Sequence, residues 1–146
     1  MEFHKILIAI DDNPSSMVVA ASGLQLARQY NSEIALISIP PDENDNEQDP
    51  ATRRERNDMM EQNLHASQLN VVEKIFKGIS IKTFVAKGIP YKVIIDAAER
   101  WGADIIVMGT HGRTGLPHLL LGSVAEDVIR RSKKTVVIIP VVDPDQ

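Results

Sequence analysis

The sequence predicts an α/β fold built on a parallel sheet. Three observations carry that expectation. Five short apolar runs rich in β-branched residues recur along the 146 residues. Each is separated from the next by a stretch whose apolar residues fall at helical spacing. Pro, Gly, Asp or Asn punctuates most of the junctions. Strands that alternate with helices pair in parallel through right-handed crossovers, because the helix must carry the chain back to the starting edge before the next strand begins.

The run "KILIAI" (5–10) is continuous and apolar, as a strand covered on both faces requires. "DDNPSS" stops it. Asp12 or Asn13 is expected to cap a helix with Pro14 at its first position, and Met17, Ala20, Ala21, Leu24 and Ala27 follow on one stripe. "EIALISI" (33–39) reads as the second strand, ended by Pro40-Pro41. Residues 42–49 carry five acids and no base, with nothing to bury, and are expected to be a mobile surface loop. A long amphipathic helix over roughly 51–77 follows, with Met60, Leu64, Val71 and Ile75 on one face and Gly78 at its end. "ISIKTFVA" (79–86) is a third strand. Pro90 opens a helix through Val93, Ile94 and Ala97 that Gly102 closes. "ADIIVM" (103–108) is the fourth strand, a helix runs from Ser123 to about Ser132, and "TVVIIPVV" (135–142) is the fifth strand. One domain over 1–146 is expected, since no linker or repeat interrupts the alternation.

Composition narrows the function. A net charge of −4 argues against nucleic acid as a main partner, because phosphate backbones are held by clustered Lys and Arg. The absence of cysteine removes disulfides, thiolate catalysis and sulfur-ligated metals, and fits a reducing cytoplasm. The apolar runs are strand-length, so no membrane span is expected. The N-terminus runs into two aspartates instead of a small-residue cleavage site, and so makes a poor signal peptide.

The chemistry concentrates in "MGTHGRTGLPHLLLGS", which holds Gly109, Gly112, Gly115 and Gly122, half of the eight glycines. Glycines directly after a strand let the backbone approach a ligand with no side chain in the way. Gly122-Ser123 opens a helix whose first amide groups have no intrahelical partner and, with the helix dipole, make an anion site. The Ser123 hydroxyl adds a donor. A purely structural reading also exists: the glycines make turns, and "SVAE" is a capping box in which Ser123 caps the helix and Glu126 reaches back.

The spacing Gly109-x2-Gly112-x9-Gly122-Ser123, led in by an apolar strand and Met108, resembles the ATP-binding signature of the universal stress protein family. "ILIAIDD", "GIPYKVIIDAAE" and "KKTVVIIPV" extend the resemblance along the chain. It implies a doubly wound five-stranded parallel sheet in the order 3-2-1-4-5, with helices on both faces. It also implies an ATP-binding regulatory module of the stress response, with AMP or another adenine nucleotide as the alternative ligand. By the same resemblance, Asp11 accepts hydrogen bonds from the ribose and the main chain of Ile39 reads the adenine edge. Gly109 and Gly112 approach the ribose and phosphates, with Met108 leading into them. Gly122, Ser123 and Val124 hold the phosphates. Arg113 is the candidate mobile cation over them, and Mg²⁺ is expected to bridge phosphate oxygens. Pro117-His118 depart from the family's usual small polar residue and Arg, so a permanent positive charge near the phosphates is replaced by a histidine that carries one only when protonated.

A receiver domain would also begin with an acidic pair after its first strand, but the third strand here ends "FVAKG" without the phosphoacceptor Asp. No P-loop lysine and no nucleophile elbow occurs, and no residue stands out as a catalytic base. A slow ATP hydrolase and a dimeric scaffold with a structural glycine loop remain the alternatives. His4, His65 and His111 read as surface residues, Met59 and Met60 as a core-facing pair, and Trp101 as an anchor against the sheet. The strand 135–142 carries no charge, and in the strand order that the resemblance implies it lies at a sheet edge, which invites pairing with another chain. The resemblance further implies a homodimer joined antiparallel along this strand. A charge at Val141 is expected to separate the protomers and leave the nucleotide crevice intact. The downstream protein partner is not legible.

Overall fold

The computed structural model describes residues 2–40, 49–111 and 121–141. Among them strands and helices alternate throughout: β1 (Lys5–Ile10), α1 (Ser16–Tyr30), β2 (Glu33–Ser38), α2 (Pro50–Ile75), β3 (Lys82–Val85), α3 (Pro90–Trp101), β4 (Ile105–Gly109), α4 (Ser123–Arg131) and β5 (Thr135–Ile139). All pairings are parallel, and the sheet order is β3-β2-β1-β4-β5. The expected fold class, α/β with this strand order, is the one observed.

The two-residue period of β1 divides the core. Ile6, Ile8 and Ile10 pack with Val19, Leu24 and Ala27 of α1 and Val71 of α2 on one face. Leu7 packs with Ile94 and Ala98 of α3 and Ala125 and Val128 of α4 on the other. Two helices therefore cover each face, and the central strand is buried on both sides. α2 buries only Leu64, Gln68 and Val71 over its 26 residues, a narrow stripe at spacings of four and three.

Local chemistry accounts for most boundaries. Pro90 sits in the first turn of α3, and Gly102 closes it at φ 81, a left-handed position that favours glycine. Asp49 caps α2: its Oδ1 accepts from Ala51 N at 3.1 Å, and Pro50 follows in the first turn.

The start of α1 differs from expectation. The helix begins at Ser16, with Ser15 as its N-terminal flank, and neither Asp12 nor Asn13 is its cap. Residues 12–15 form a turn instead. Asp11 Oδ1 accepts from Asn13 N, and Asn13 Oδ1 accepts from Ser15 N. Ser16 N and Met17 N donate three residues back to Asn13 O and Pro14 O. Short acidic and amide side chains outcompete the helix ladder for these donors.

Met59 is the other correction. It is 63% exposed, because α2 turns only every third or fourth residue to the sheet, and Met60, half-buried, occupies that stripe. β2 stops at Ser38, β3 begins only at Lys82, and β5 stops at Ile139, short of the apolar runs that announce them. Of the acidic stretch, residues 42–48 lie outside the described residues.

Trp101 packs as an anchor on the α3/α4 side, with the Lys5 ammonium 5.2 Å from its ring centroid. No helix among the described residues is long and apolar enough to cross a membrane.

Candidate site at the carboxyl edge of the sheet

Three pairings place the candidate residues together. Ile8 of β1 faces Val107 of β4, Ile10 of β1 faces Ser38 of β2, and Gly109 of β4 faces Ile139 of β5. Asp11 and Ile39 thus each follow the last paired residue of their strand, and Gly109 ends the neighbouring β4. After β1 the chain leaves through α1 to one side of the sheet, and after β4 it leaves through α4 to the other. The crevice between those departures is where parallel sheets receive ligands.

Asp11 is held by its own turn. Ser16 Oγ donates to Asp11 Oδ1 and Asp11 O, both at 2.9 Å, and accepts from Asp11 N at 3.1 Å. Asn13 N donates to the same Oδ1 at 2.8 Å. The second carboxylate oxygen, Oδ2, makes no hydrogen bond among the described residues. Ser16, only 5% exposed, was legible in the sequence only as one of two serines after the proline. No periodicity argument marks a serine that folds back onto a strand end.

Gly109 is bare for a packing reason. A Cβ there would lie 3.1 Å from a Val141 methyl and 3.2 Å from a Val19 methyl, so the end of β4 is clamped between α1 and the second residue after β5. Met108 is buried on the opposite face, where it supports the strand end from below.

The start of α4 overturns the capping-box reading. Gly122 is the N-terminal flank (φ −70, ψ 160), no side chain caps the helix, and Ser123 is its first residue and exposed. Glu126 instead pairs with Arg130 at 2.7 Å, one turn on. The N–H of Gly122 donates to Thr110 O at 2.6 Å, so it is occupied. The amide groups of Ser123, Val124 and Ala125 have no acceptor among the described residues. They form the first turn of a nine-residue helix and carry its positive dipole end. With the Ser123 hydroxyl, they can receive an anion.

Thr110 was not singled out by sequence reasoning, yet it ties the region together. Its N–H donates to Ile139 O at 3.0 Å, its carbonyl receives Gly122 N, and its Oγ1 accepts from Val141 N at 3.0 Å. A threonine between glycines and a histidine reads as loop, and only the register of β4 against β5 reveals its role. His111 is half-buried rather than exposed, since it leaves the sheet directly beside these contacts. Gly112, Arg113, Gly115, Pro117 and His118 lie outside the described residues. No cluster of three or more His, Cys, Asp or Glu able to hold a metal ion occurs among the described residues.

This arrangement matches known proteins over nearly its whole length. The universal stress protein family model matches residues 2–140. The universal stress protein MJ0531 of Methanocaldococcus jannaschii is 31% identical over 150 residues, which take in 94% of this chain and 82% of that protein. MJ0577 of the same organism is 47% identical over 62 residues, 42% of this chain and 38% of that protein. Its solved structure superposes with a TM-score of 0.76 at 27% identity, covering 98% of this chain and 99% of the other. Two further structures share the fold. A universal stress protein in complex with cAMP has a TM-score of 0.71 at 22% identity, covering 95% and 98% of the two chains. The Archaeoglobus fulgidus universal stress protein in complex with dAMP has a TM-score of 0.66 at 19% identity, covering 95% and 99%. On the matched family model, the relatives and the sheet order together, this chain belongs to the universal stress protein family.

Proposed function

We propose that this protein is an adenine-nucleotide-binding regulatory module of the stress response, with ATP as its ligand. One observation carries the reading: at the switch point of the sheet the Asp11 carboxylate follows β1, and the adjacent β4 leads to a helix end whose Ser123 to Ala125 N–H groups have no acceptor among the described residues. A nucleotide needs both. Ribose hydroxyls donate to a carboxylate, and phosphates accept from amide groups. The complexes of two fold relatives with cAMP and dAMP support an adenine nucleotide as the ligand class.

In this reading Asp11 Oδ2 takes the ribose hydroxyls, and the main chain at Ile39 meets the base. Gly109 and Gly112 line the path to the phosphates, with Met108 supporting Gly109 from the core. Gly122 positions α4, whose Ser123 and Val124 bind the phosphates, and Arg113 covers them. Mg²⁺, where it enters with the nucleotide, would supply positive charge that offsets the repulsion between Asp11 and the triphosphate. The module works in the cytoplasm as a homodimer joined along β5.

Mass spectrometry of the ligand released from purified protein, followed by calorimetric titration with ATP, AMP and adenosine, tests the reading. Bound ATP and tighter binding of ATP than of adenosine are expected. The absence of binding to all three would end it.

A further inference from the structure

We infer that Gln68 of α2 is a positioning residue for base recognition, acting on the main chain at the end of β2. The inference rests on the nucleotide reading above. Gln68 is 5% exposed, and with Ser16 and Ser38 it makes up the buried polar residues among the described ones. Burying a side-chain amide is unfavourable unless its donors are matched, and a leucine at this place in the stripe would fill the core without that demand. Gln68 Nε2 donates to Phe84 O of β3 at 3.1 Å and to Ser38 Oγ of β2 at 3.2 Å. The Phe84 carbonyl can only accept, which fixes the orientation of the amide.

One side chain thus bridges the last residue of β2 and the next-to-last residue of β3. Ser38 is held from a second direction, because Ala86 N donates to Ser38 O at 3.2 Å. The carbonyl of the Ser38–Ile39 peptide therefore faces β3. In a trans peptide the N–H of Ile39 then faces the other way, towards β1, whose end carries Asp11. Gln68 and Ala86 together set the peptide plane that the base would meet. α2 is otherwise attached to the sheet by few buried residues, so without this bridge the β2 end would keep its strand pairings and lose the side-chain tie that joins it to α2.

The test uses Gln68→Met, which keeps length and volume and removes both donors. The variant is expected to bind ATP and adenosine about tenfold more weakly, with a reduced preference for ATP over GTP. Tripolyphosphate, which has no base, should bind as to the wild type. Amide exchange at Ile39 should accelerate while that of β1 stays unchanged. ATP and adenosine affinities unchanged from the wild type in the folded variant would overturn the role of Gln68. If Gln68→Met does not fold, Ser38→Ala, which removes one of the two acceptors, is expected to weaken adenosine about threefold, and no change there overturns the role equally. Failure of the wild type to bind adenosine would instead end the nucleotide reading itself.

Discussion

The N–H of Gly122 donates to the carbonyl of Thr110 at 2.6 Å, across twelve positions of sequence. That bond fixes where α4 starts relative to the end of β4. It also means that the helix end offered to an anion is positioned by the sheet, whatever path the chain takes between the two residues. The other hydrogen bonds of Thr110 go to Ile139 O, to Val141 N and, at 3.5 Å, to Val141 O, so a single residue sets the distance from β4 to both α4 and the end of β5.

Thr110→Val tests that role. Valine keeps the shape and removes the Oγ1 acceptor, leaving the Val141 N–H without its partner. A loss of about 1 kcal/mol is expected, which lowers Tm by about 3–4 °C for a domain of this size. Thr110→Ser keeps the acceptor and should melt close to the wild type. Thermal unfolding followed by circular dichroism reads the difference, and identical melting of Thr110→Val and the wild type would show that the hydroxyl carries no weight.

Ser123→Ala separates ligand binding from helix capping. Gly122, not Ser123, flanks the helix, and no side-chain cap exists to be lost. Stability should therefore hold within a few tenths of a kcal/mol, while ATP affinity falls by about 1 kcal/mol for one lost hydrogen bond. Gly122→Val should weaken ATP more by its bulk alone, since φ −70 and ψ 160 are open to valine. A calorimetric titration in which both variants bind like the wild type would remove the phosphates from this helix end.

Asp11 has two jobs, and two substitutions divide them. Asp11→Asn keeps an Oδ1 acceptor for Ser16 and Asn13 and loses the charge. Asp11→Ala loses both, and should also destabilise the turn into α1 by about 1–2 kcal/mol. Both should weaken ATP, AMP and adenosine by similar factors, because all three share the ribose. A loss confined to ATP would place the carboxylate on a phosphate-bound metal instead.

The sequence made the fold legible because most elements carry their own signals: the continuous runs of β1 and β4, Pro90 and Gly102 around α3, and the two-residue period that splits the core. It also pointed to both strand ends of the site. It could not show how those ends are held. Ser16, Gln68 and Thr110 are ordinary polar residues in sequence, and each acquires its role from a partner that only the folded register supplies: Asp11, Phe84 and Val141 respectively. The serine cap failed for a related reason. A capping box and a helix that starts one residue earlier have the same local pattern, and the bond from Gly122 to Thr110 decides between them.

The edge strand β5 calls for a different probe from the one its sequence suggests. Ile139 O accepts from Thr110 N, so the main-chain groups of Ile139 face β4. Alternation then turns those of Val136, Ile138 and Pro140 outward, to the open edge. Pro140, which has no N–H, occupies an outward position where no ladder bond is lost. Val141 is no neutral site for a charge: its methyl meets Gly109 and its N–H is held by Thr110, so Val141→Asp would disturb the nucleotide end together with the edge. Ile138→Pro removes one outward donor and leaves the bonds to β4 in place, while losing some of the packing that Ile138 makes against the α3/α4 side. If two copies pair antiparallel along β5, light scattering at micromolar concentration gives a dimer mass for the wild type and a monomer mass for Ile138→Pro, with ATP affinity kept within about twofold because the strand bonds next to the crevice survive. Val141→Asp should lose both the dimer and part of the affinity. A monomeric wild type, or a dimeric Ile138→Pro, would remove β5 as the joining edge.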